Sequence, residues 1–187
     1  LSSSGSVANS AVSANGAFDI SAANSGGVSV VSLSGASTGV VTLGSRTLTL
    51  SNASGTFAGA IGGTGGLTIS AGTETLSGAN GYSGTTTIAN GATLALSGTG
   101  SIANSAVAAS GTLDISGTTS GASIGSLSGN GVVTLGSRTL TLSNAGGTFS
   151  GAIGGTGGLT VAAGSETLSG TNTYTGATTV SGGTLII

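Results

Sequence analysis

Two long stretches of this chain have nearly the same sequence, and this repetition limits the fold more than any other feature. The first copy, residues 62–94, reads GGTGGLTISAGTETLSGANGYSGTTTIANGATL, and the second, residues 154–185, reads GGTGGLTVAAGSETLSGTNTYTGATTVSGGTL. A segment that returns with its glycines, its Asn-x-Tyr and its threonines in place is typical of a unit that stacks on copies of itself. The sequence therefore predicts a repeat architecture.

The repetition extends beyond these copies and divides the chain into two superrepeats. We place them at about residues 6–98 and 101–187, within one continuous solenoid over residues 1–187. Ser6 matches Ser101 at an offset of 95 residues, whereas Leu43 matches Leu135 at an offset of 92. The second copy has therefore lost three residues in between, which predicts a variable loop there because short deletions fall where the chain turns.

The composition allows either a flexible linker or an ordered β-structure. The chain has 39 glycines in 187 residues and only 3% charged residues, and a Gly-rich, Ser-rich composition is typical of linkers. However, the mean hydropathy is positive, whereas disordered chains have low hydropathy. Apolar residues also alternate with small polar ones, as in Thr47-Leu48-Thr49-Leu50, and this alternation is the period of a strand.

The spacing of similar short motifs predicts an all-β solenoid. Apolar residues followed by Ser recur at Ile20, Leu50, Leu76 and Leu96, at intervals of 30, 26 and 20 residues. Such intervals are too long for tight hairpins and suit coils of two or three short strands with glycine at the corners. We expect roughly seven to nine stacked coils and a rod of roughly 40 Å.

Several function classes are disfavoured by the residues that the chain lacks. Two Arg against four acidic residues cannot supply the cluster of cations that nucleic-acid binding needs, and no apolar run approaches the ~20 residues of a membrane-spanning helix. The chain has no Cys and no His, so no Ser has a His beside it as base, and catalysis is not expected. The GGTGGLTIS stretch resembles a calcium-binding nonapeptide, but Leu67 stands where that motif has Asp; we expect no cofactor or metal.

The charged residues follow the repeat, and two of the three types are predicted to point inward. Arg46 and Arg138 share the strand parity of neighbouring leucines, as do Glu74 and Glu166. Aligning Leu50 with Leu76 on adjacent coils predicts the ion pairs Arg46–Glu74 and Arg138–Glu166. Exposure after a local bulge and ligand binding are the alternatives.

Asp19 and Asp114 stand between apolar neighbours, so the same alternation predicts that both side chains face solvent. With no base or second acid beside either, a solvated strand face is a better interpretation than acid–base chemistry.

The Asn-x-Tyr of each copy is predicted to have a structural role at a corner. Asn80 and Asn172 are expected to lie in turns, with their amides bonded to backbone groups across coils. Tyr82 and Tyr174, the only tyrosines, are expected to cap the core there. Outward threonines such as Thr47, Thr49 and Thr87 also leave open a rival function, an outward Thr/Ser ladder that binds glycans or ice.

Residues 72–94 and 164–185 resemble the autotransporter-associated β-strand repeat of Gram-negative passenger domains. The shared features are TLSG, the Asn-x-Tyr, the Thr-Thr-Ile or Thr-Thr-Val strand and the closing Gly-x-Leu. The recognisable repeat covers about a third of the chain. Glu74 and Glu166 depart from the pattern, because that position is usually aliphatic in the family.

The resemblance implies a right-handed parallel β-helix that is exported across the outer membrane and displayed at the cell surface. A non-catalytic stalk, fibre or adhesin segment is the function that it implies. The expected partners are neighbouring coils of a longer protein, identical chains stacking end to end or side by side, and host or bacterial surfaces.

Overall fold

The structure, a computed structural model, describes residues 6–24 and 26–187. The described residues form 24 short β-strands and no helix, and the strands pair in parallel throughout this part of the chain. Residues 1–5, which the sequence places at the start of the solenoid, lie outside the described residues. The predicted all-β, parallel β-solenoid is confirmed, with about 9 turns.

The strands are two to seven residues long. In chain order they are β1 (Val12–Ser13), β2 (Ala17–Asp19), β3 (Val28–Val30), β4 (Leu33–Ser34), β5 (Val40–Gly44), β6 (Leu48–Leu50), β7 (Thr56–Phe57), β8 (Ala60–Gly63), β9 (Leu67–Ile69), β10 (Thr73–Leu76), β11 (Thr86–Ile88), β12 (Thr93–Gly98), β13 (Val107–Ala109), β14 (Thr112–Thr118), β15 (Ala122–Ile124), β16 (Leu127–Gly129), β17 (Val132–Gly136), β18 (Leu140–Leu142), β19 (Thr148–Phe149), β20 (Ala152–Gly155), β21 (Leu159–Val161), β22 (Ser165–Leu168), β23 (Thr178–Val180) and β24 (Thr184–Ile186).

The strands form three faces around one core. The first face is a single nine-stranded sheet in the order β3-β6-β9-β11-β13-β16-β19-β22-β24. The second face joins β1-β4 to the six-stranded sheet β7-β10-β12-β14-β17-β20 through the bridge between Gly35 and Phe57. The third face consists of β2-β5-β8 and β15-β18-β21-β23.

The third face is interrupted between β8 and β15, where two successive turns contribute no named strand. The first of these turns carries the Asn-x-Tyr segment at residues 80–82, and the second pairs Ile102 with Ile124. Backbone bonds still cross this gap, because the N–H groups of Gly81 and Tyr82 donate to the Ile61 carbonyl. The solenoid therefore continues through the interruption.

Alternation along each strand builds the core. In β6, β9 and β11 the outer two residues are buried and the middle residue is half-buried, because successive side chains of a strand point to opposite faces. Equivalent inward residues lie directly above one another, as Leu50 lies against Ile69 and Ile69 against Ile88. Thr, Val, Ile and Leu suit this half-buried pleated surface.

The two superrepeats are not related by a whole number of turns. β6 lies on the first face, four full turns lead to β16 on the same face, and β18, the repeat counterpart of β6, follows on the third face. The offset is therefore about four and two-thirds turns. Equivalent residues of the two copies consequently lie on different faces.

Candidate functional site

The side chain of Asn80 fills the interruption in the third face. Its Oδ1 accepts the N–H of Ile61 at 3.0 Å, and its Nδ2 donates to the carbonyls of Gly78 at 2.8 Å and Ser101 at 3.2 Å. These three bonds connect the turn below Asn80 with the turn above it. The side-chain amide of Asn80 therefore supplies hydrogen bonds between adjacent turns at a position where the backbone forms no β-strand.

Tyr82 begins a buried chain of hydroxyl groups. Its Oη lies 2.7 Å from Oγ1 of Thr86, which lies 2.7 Å from Oγ of Ser105, and this Oγ donates to the Gly84 carbonyl at 2.6 Å. All three side chains are fully buried, and burial raises the pKa of Tyr82. Tyr82 therefore lies inside the core, with its hydroxyl satisfied across two turns.

The second copy repeats part of this arrangement. Asn172 Oδ1 accepts the N–H of Ile153 at 3.1 Å, its Nδ2 donates to the Gly170 carbonyl at 3.2 Å, and the Tyr174 hydroxyl lies 2.7 Å from that of Thr178. These residues lie on the last turn, where Tyr174 is half-buried and Thr178 is exposed. The Asn and Tyr side chains thus make similar hydrogen bonds in both copies, but those of the second copy are less buried.

The two glutamates are buried in the core, each above a glycine. Glu74 and Glu166 are 0% exposed, and the glycine of the preceding turn in the same column is Gly55 or Gly147. A Cβ at Gly55 would lie 3.4 Å from Oε2 of Glu74, and one at Gly147 would lie 3.2 Å from Oε1 of Glu166. A Cβ at either glycine would first meet the backbone, 1.8 Å from the carbonyl oxygen of Leu33 or of Leu127. The close approach of the preceding turn therefore requires glycine at these positions, and the carboxyl group of the next turn lies beside it.

Burial changes the ionisation of both carboxyl groups. It raises the pKa of Glu74 to about 8, against the opposite effect of the nearby N–H groups of Leu33 and Gly55. Neither oxygen of Glu74 has a hydrogen-bond partner, whereas Oε2 of Glu166 accepts the N–H of Gly147 at 3.3 Å. Burial also raises the pKa of Glu166. Glu74 is therefore mainly neutral at pH 7.

The predicted pairing of Arg46 with Glu74 is wrong, because it used the wrong register. Leu50 lies against Ile69, and Leu76 lies against Phe57, so Leu50 and Leu76 are not neighbours. Arg46 precedes the first face, while Glu74 lies in the second, and Nε of Arg46 has no hydrogen-bond partner.

The pairing of Arg138 with Glu166 is wrong for the same reason. Nη1 of Arg138 instead donates to the Thr119 carbonyl at 2.9 Å, and Glu166 bonds to the backbone of Gly147. Both arginines are half-buried, with the Nε atoms inside and without a partner.

The two aspartates lie on the outside of their strands. Asp19 is exposed and Asp114 half-buried. Their Oδ1 atoms accept the N–H of Ser21 at 2.8 Å and of Ser116 at 2.9 Å. Each carboxylate therefore closes a local turn two residues on.

The middle residues of the first face form an outward row in register. They include three consecutive threonines, since Thr49 lies against Thr68 and Thr68 against Thr87. The complete row is Ser29, Thr49, Thr68, Thr87, Ala108, Ser128, Thr148, Thr167 and Ile186. We call it the hydroxyl row; none of its members is charged.

The described residues offer no cluster for metal or acid–base chemistry. No group of three or more His, Cys, Asp or Glu side chains lies together in that part of the chain. Nor does the same part contain a helix of the length and hydrophobicity needed to cross a membrane. The candidate sites in this part of the chain are therefore the Asn-x-Tyr segments, the buried glutamates and the hydroxyl row.

Sequence reasoning did not find the glycines below the glutamates or the hydroxyl chain that runs from Tyr82 to Ser105. A signal for the first was present, because Gly55 precedes Glu74 by 19 residues and Gly147 precedes Glu166 by the same interval. The interval is one turn of the solenoid, which could be recognised only after the register was known.

Comparison with protein families matches two segments of the chain. Residues 71–96 and 163–187 match the family model of the passenger-associated-transport-repeat, a repeat of autotransporter passenger domains. Comparison with curated proteins and with solved structures gives no match. The matched segments contain both glutamates, both Asn-x-Tyr segments and the strands that follow them, which confirms the predicted resemblance.

Proposed function

Since the chain is a β-solenoid that carries two autotransporter passenger repeats, we propose that it serves as a non-catalytic structural segment of a passenger. In this role it forms a stalk or an adhesin segment, exported across the outer membrane of a Gram-negative bacterium and held at the cell surface. Its mechanism is geometric: stacked coils make a stiff rod that holds other parts of the protein away from the cell.

The single observation that supports this proposal is the unbroken first face. Nine strands follow one another in register, and no register shift occurs in their pairing, whereas the second and third faces contain such shifts. At about 4.8 Å per turn, nine turns span about 43 Å. The core cluster beneath these strands is continuous, so each turn covers the apolar face of the one before.

Surface display tests the proposal directly. The chain would be fused ahead of a translocator barrel in a Gram-negative host, and intact cells would be treated with antibody and with protease. We expect antibody to bind the chain on intact cells and a fragment of its full length to survive digestion. Retention inside the cell, or digestion as rapid as that of an unfolded chain, would contradict the proposal.

The hydroxyl row favours a second candidate function, binding of glycans or ice along the first face. Its hydroxyl groups lie in register in two runs separated by Ala108, and the row ends at Ile186; within each run they present donors and acceptors at one spacing. The test is glycan binding and thermal hysteresis for the chain and for Thr68→Lys, with Thr42→Lys on the exposed side of the third face as control. Activity that Thr68→Lys removes and Thr42→Lys leaves would support it; no activity in the unchanged chain would reject it.

A further inference from the structure

A groove crosses the corner between the third and first faces in the middle of the rod. Its volume is about 290 Å³, and it extends over four successive turns, from Ser83 to Asn144. At about 4.8 Å per turn these four turns cover about 14 Å. Further turns of the solenoid lie on both sides of the groove, so its walls belong to the interior of the repeat array.

The lengths of the corners explain why a groove forms here. In its middle turn, β15 ends at Ile124 and β16 begins at Leu127, so only residues 125–126 form the corner. The corner of the turn below contains residues 103–106, and that of the turn above contains residues 143–147. A short corner between two longer ones is recessed, and it forms the floor of the groove.

Glycine at position 125 keeps this floor open. Oγ of Ser143 donates to the Ile124 carbonyl at 3.0 Å and also lies 3.4 Å from the Ala103 carbonyl oxygen, two turns away. The hydroxyl group therefore reaches across the turn that contains Gly125. A Cβ on Gly125 would lie 3.1 Å from the Ser105 carbonyl oxygen, so a side chain here would occupy the side of the groove toward the turn below.

The first superrepeat builds the same corner with valine in place of this glycine. The N–H of Val31 and the N–H of Gly125 each donate to a serine carbonyl one turn below, at 2.9 and 2.8 Å. The serine that follows Val31, Ser32, is 7% exposed, whereas Ser126, which follows Gly125, is half-buried. The backbone of the corner is therefore compatible with valine, and the larger side chain accompanies a more covered serine.

The lining of the groove has the chemistry to bind an uncharged, hydroxyl-rich molecule. All of its side chains are Ser, Asn, Ala or Gly, so a charged ligand would find no opposite charge and an apolar ligand no large apolar wall. Asn104 and Asn144 are exposed, and their amides make no hydrogen bond to other described residues. Each amide offers both a donor and an acceptor, as does the Ser126 hydroxyl.

We propose that this groove binds a neutral sugar residue of a glycan. Asn104 from the turn below and Asn144 from the turn above bond to hydroxyl groups of the ring, and Ser126 bonds to it from the floor. Ala103 gives the C–H groups of the ring a small apolar contact. The site is separate from the hydroxyl row, and it goes beyond the stalk function because it gives the rod one defined point of attachment.

Titration of the isotope-labelled 187-residue chain with methyl glycosides tests the site. The probes are the methyl glycosides of glucose, galactose, mannose and N-acetylglucosamine, in which the anomeric oxygen is substituted as in a glycan. Nuclear magnetic resonance follows the side-chain amides of Asn104 and Asn144. We expect at least one glycoside to shift both signals, with a Kd on the order of 1 mM. Glycerol is the control ligand, because it has hydroxyl groups but no ring.

Three variants locate the binding. Gly125→Val introduces the residue of the first superrepeat and should abolish binding, whereas Asn144→Ala removes one amide and should raise the Kd about three- to tenfold. Asn52→Ala is the matched control, because Asn52 is the counterpart of Asn144 in the first superrepeat, is exposed and lies outside the groove. It should leave the Kd unchanged. Urea unfolding checks that each variant folds, and Asn144→Ala remains a test if Gly125→Val does not.

Several results would overturn the proposal. They are the absence of any shift up to about 100 mM glycoside, far above a millimolar Kd, equal shifts with glycerol, and equal losses in Asn144→Ala and Asn52→Ala. Shifts confined to Thr68 and Thr87 would also overturn it and would assign sugar binding to the hydroxyl row. The stalk function stands under each of these results, because surface display tests it separately.

Discussion

Gly62 lies within β8 and Gly65 lies three residues later in the corner that follows this strand, but only Gly65 has no room for a side chain. A Cβ at Gly65 would lie 1.8 Å from the Arg46 carbonyl oxygen of the preceding turn, whereas nothing lies within 4 Å of one at Gly62. We predict that Gly65→Ala lowers the free energy of unfolding by about 3 kcal/mol or more, because the two backbones must move apart. Gly62→Ala should stay within about 0.5 kcal/mol. Urea unfolding measures both, and equal losses would mean that the close approach of the turns does not limit stability.

The buried carboxyl groups make the stability depend on pH. The pKa of Glu74 is about 8 in the folded chain, above its ordinary value of 4.5, so between these values the folded state holds a proton that the unfolded state has lost. We predict that stability is highest below about pH 4.5 and falls as the pH rises to about 8, by a few kcal/mol. Urea unfolding at a series of pH values measures this loss.

The double variant Glu74→Gln/Glu166→Gln is the control for that pH dependence. Glutamine keeps the shape of the side chain and does not ionise, so the variant should show a nearly flat profile over the same range. A profile as steep as that of the unchanged chain would show that other groups cause the dependence. Glu74→Gln alone should remove only part of it, because burial raises the pKa of Glu166 as well.

At the scale of the strand, the sequence predicted where strands lie along the chain but not which strands pair with each other in the sheets. Alternation in Thr47–Leu50 and Leu67–Ile69 correctly indicated β6 and β9, because the period of side-chain direction is a local property. The register depends instead on how many residues each turn contains. Leu50 and Leu76 carry the same TLS motif, but their spacing of 26 residues exceeds one turn and places them on different faces.

The same limit applies to the candidate site. The alternation of side chains along the strand predicted that Glu74 points into the core, as it does in the structure. This prediction was possible because the direction of a side chain depends only on the local alternation. The partner below Glu74 is Gly55, which only the register identifies. Thr86 illustrates the point too: its inward position follows from alternation, but its bonds to Tyr82 and Ser105 connect three places that are far apart in the sequence.

The hydroxyl chain at β11 gives a prediction for the element. Thr86→Val removes the hydroxyl group that connects Tyr82 and Ser105 and leaves the buried Tyr82 hydroxyl without its partner. We predict a loss of about 1–3 kcal/mol in the free energy of unfolding. Thr87→Val, on the outward side of the same strand and half-buried, should change it by less than about 0.5 kcal/mol. Similar losses in both variants would assign the effect to strand propensity instead of to the hydroxyl chain.

At the scale of the whole molecule, folding changes the net charge. The sequence gives a formal charge of −2 at pH 7 and a pI of about 4.3 when all four acidic residues are counted as ordinary. In the folded rod Glu74 is mainly neutral at that pH, and burial shifts Glu166 in the same direction. Two Arg and two Asp are then the remaining charged side chains, so the folded rod carries little net charge at pH 7 and two such rods repel each other only weakly.

This change of charge can be measured by isoelectric focusing. We predict that the folded chain focuses well above pH 4.3 and that the same chain in urea focuses near that value, because unfolding returns both glutamates to water and to their ordinary pKa. The double variant Glu74→Gln/Glu166→Gln keeps two Asp and two Arg, so its position should hardly differ between the two conditions. If the unchanged chain focuses near pH 4.3 in both conditions, its glutamates are ionised in the folded state, which would contradict their full burial among the apolar residues of the core.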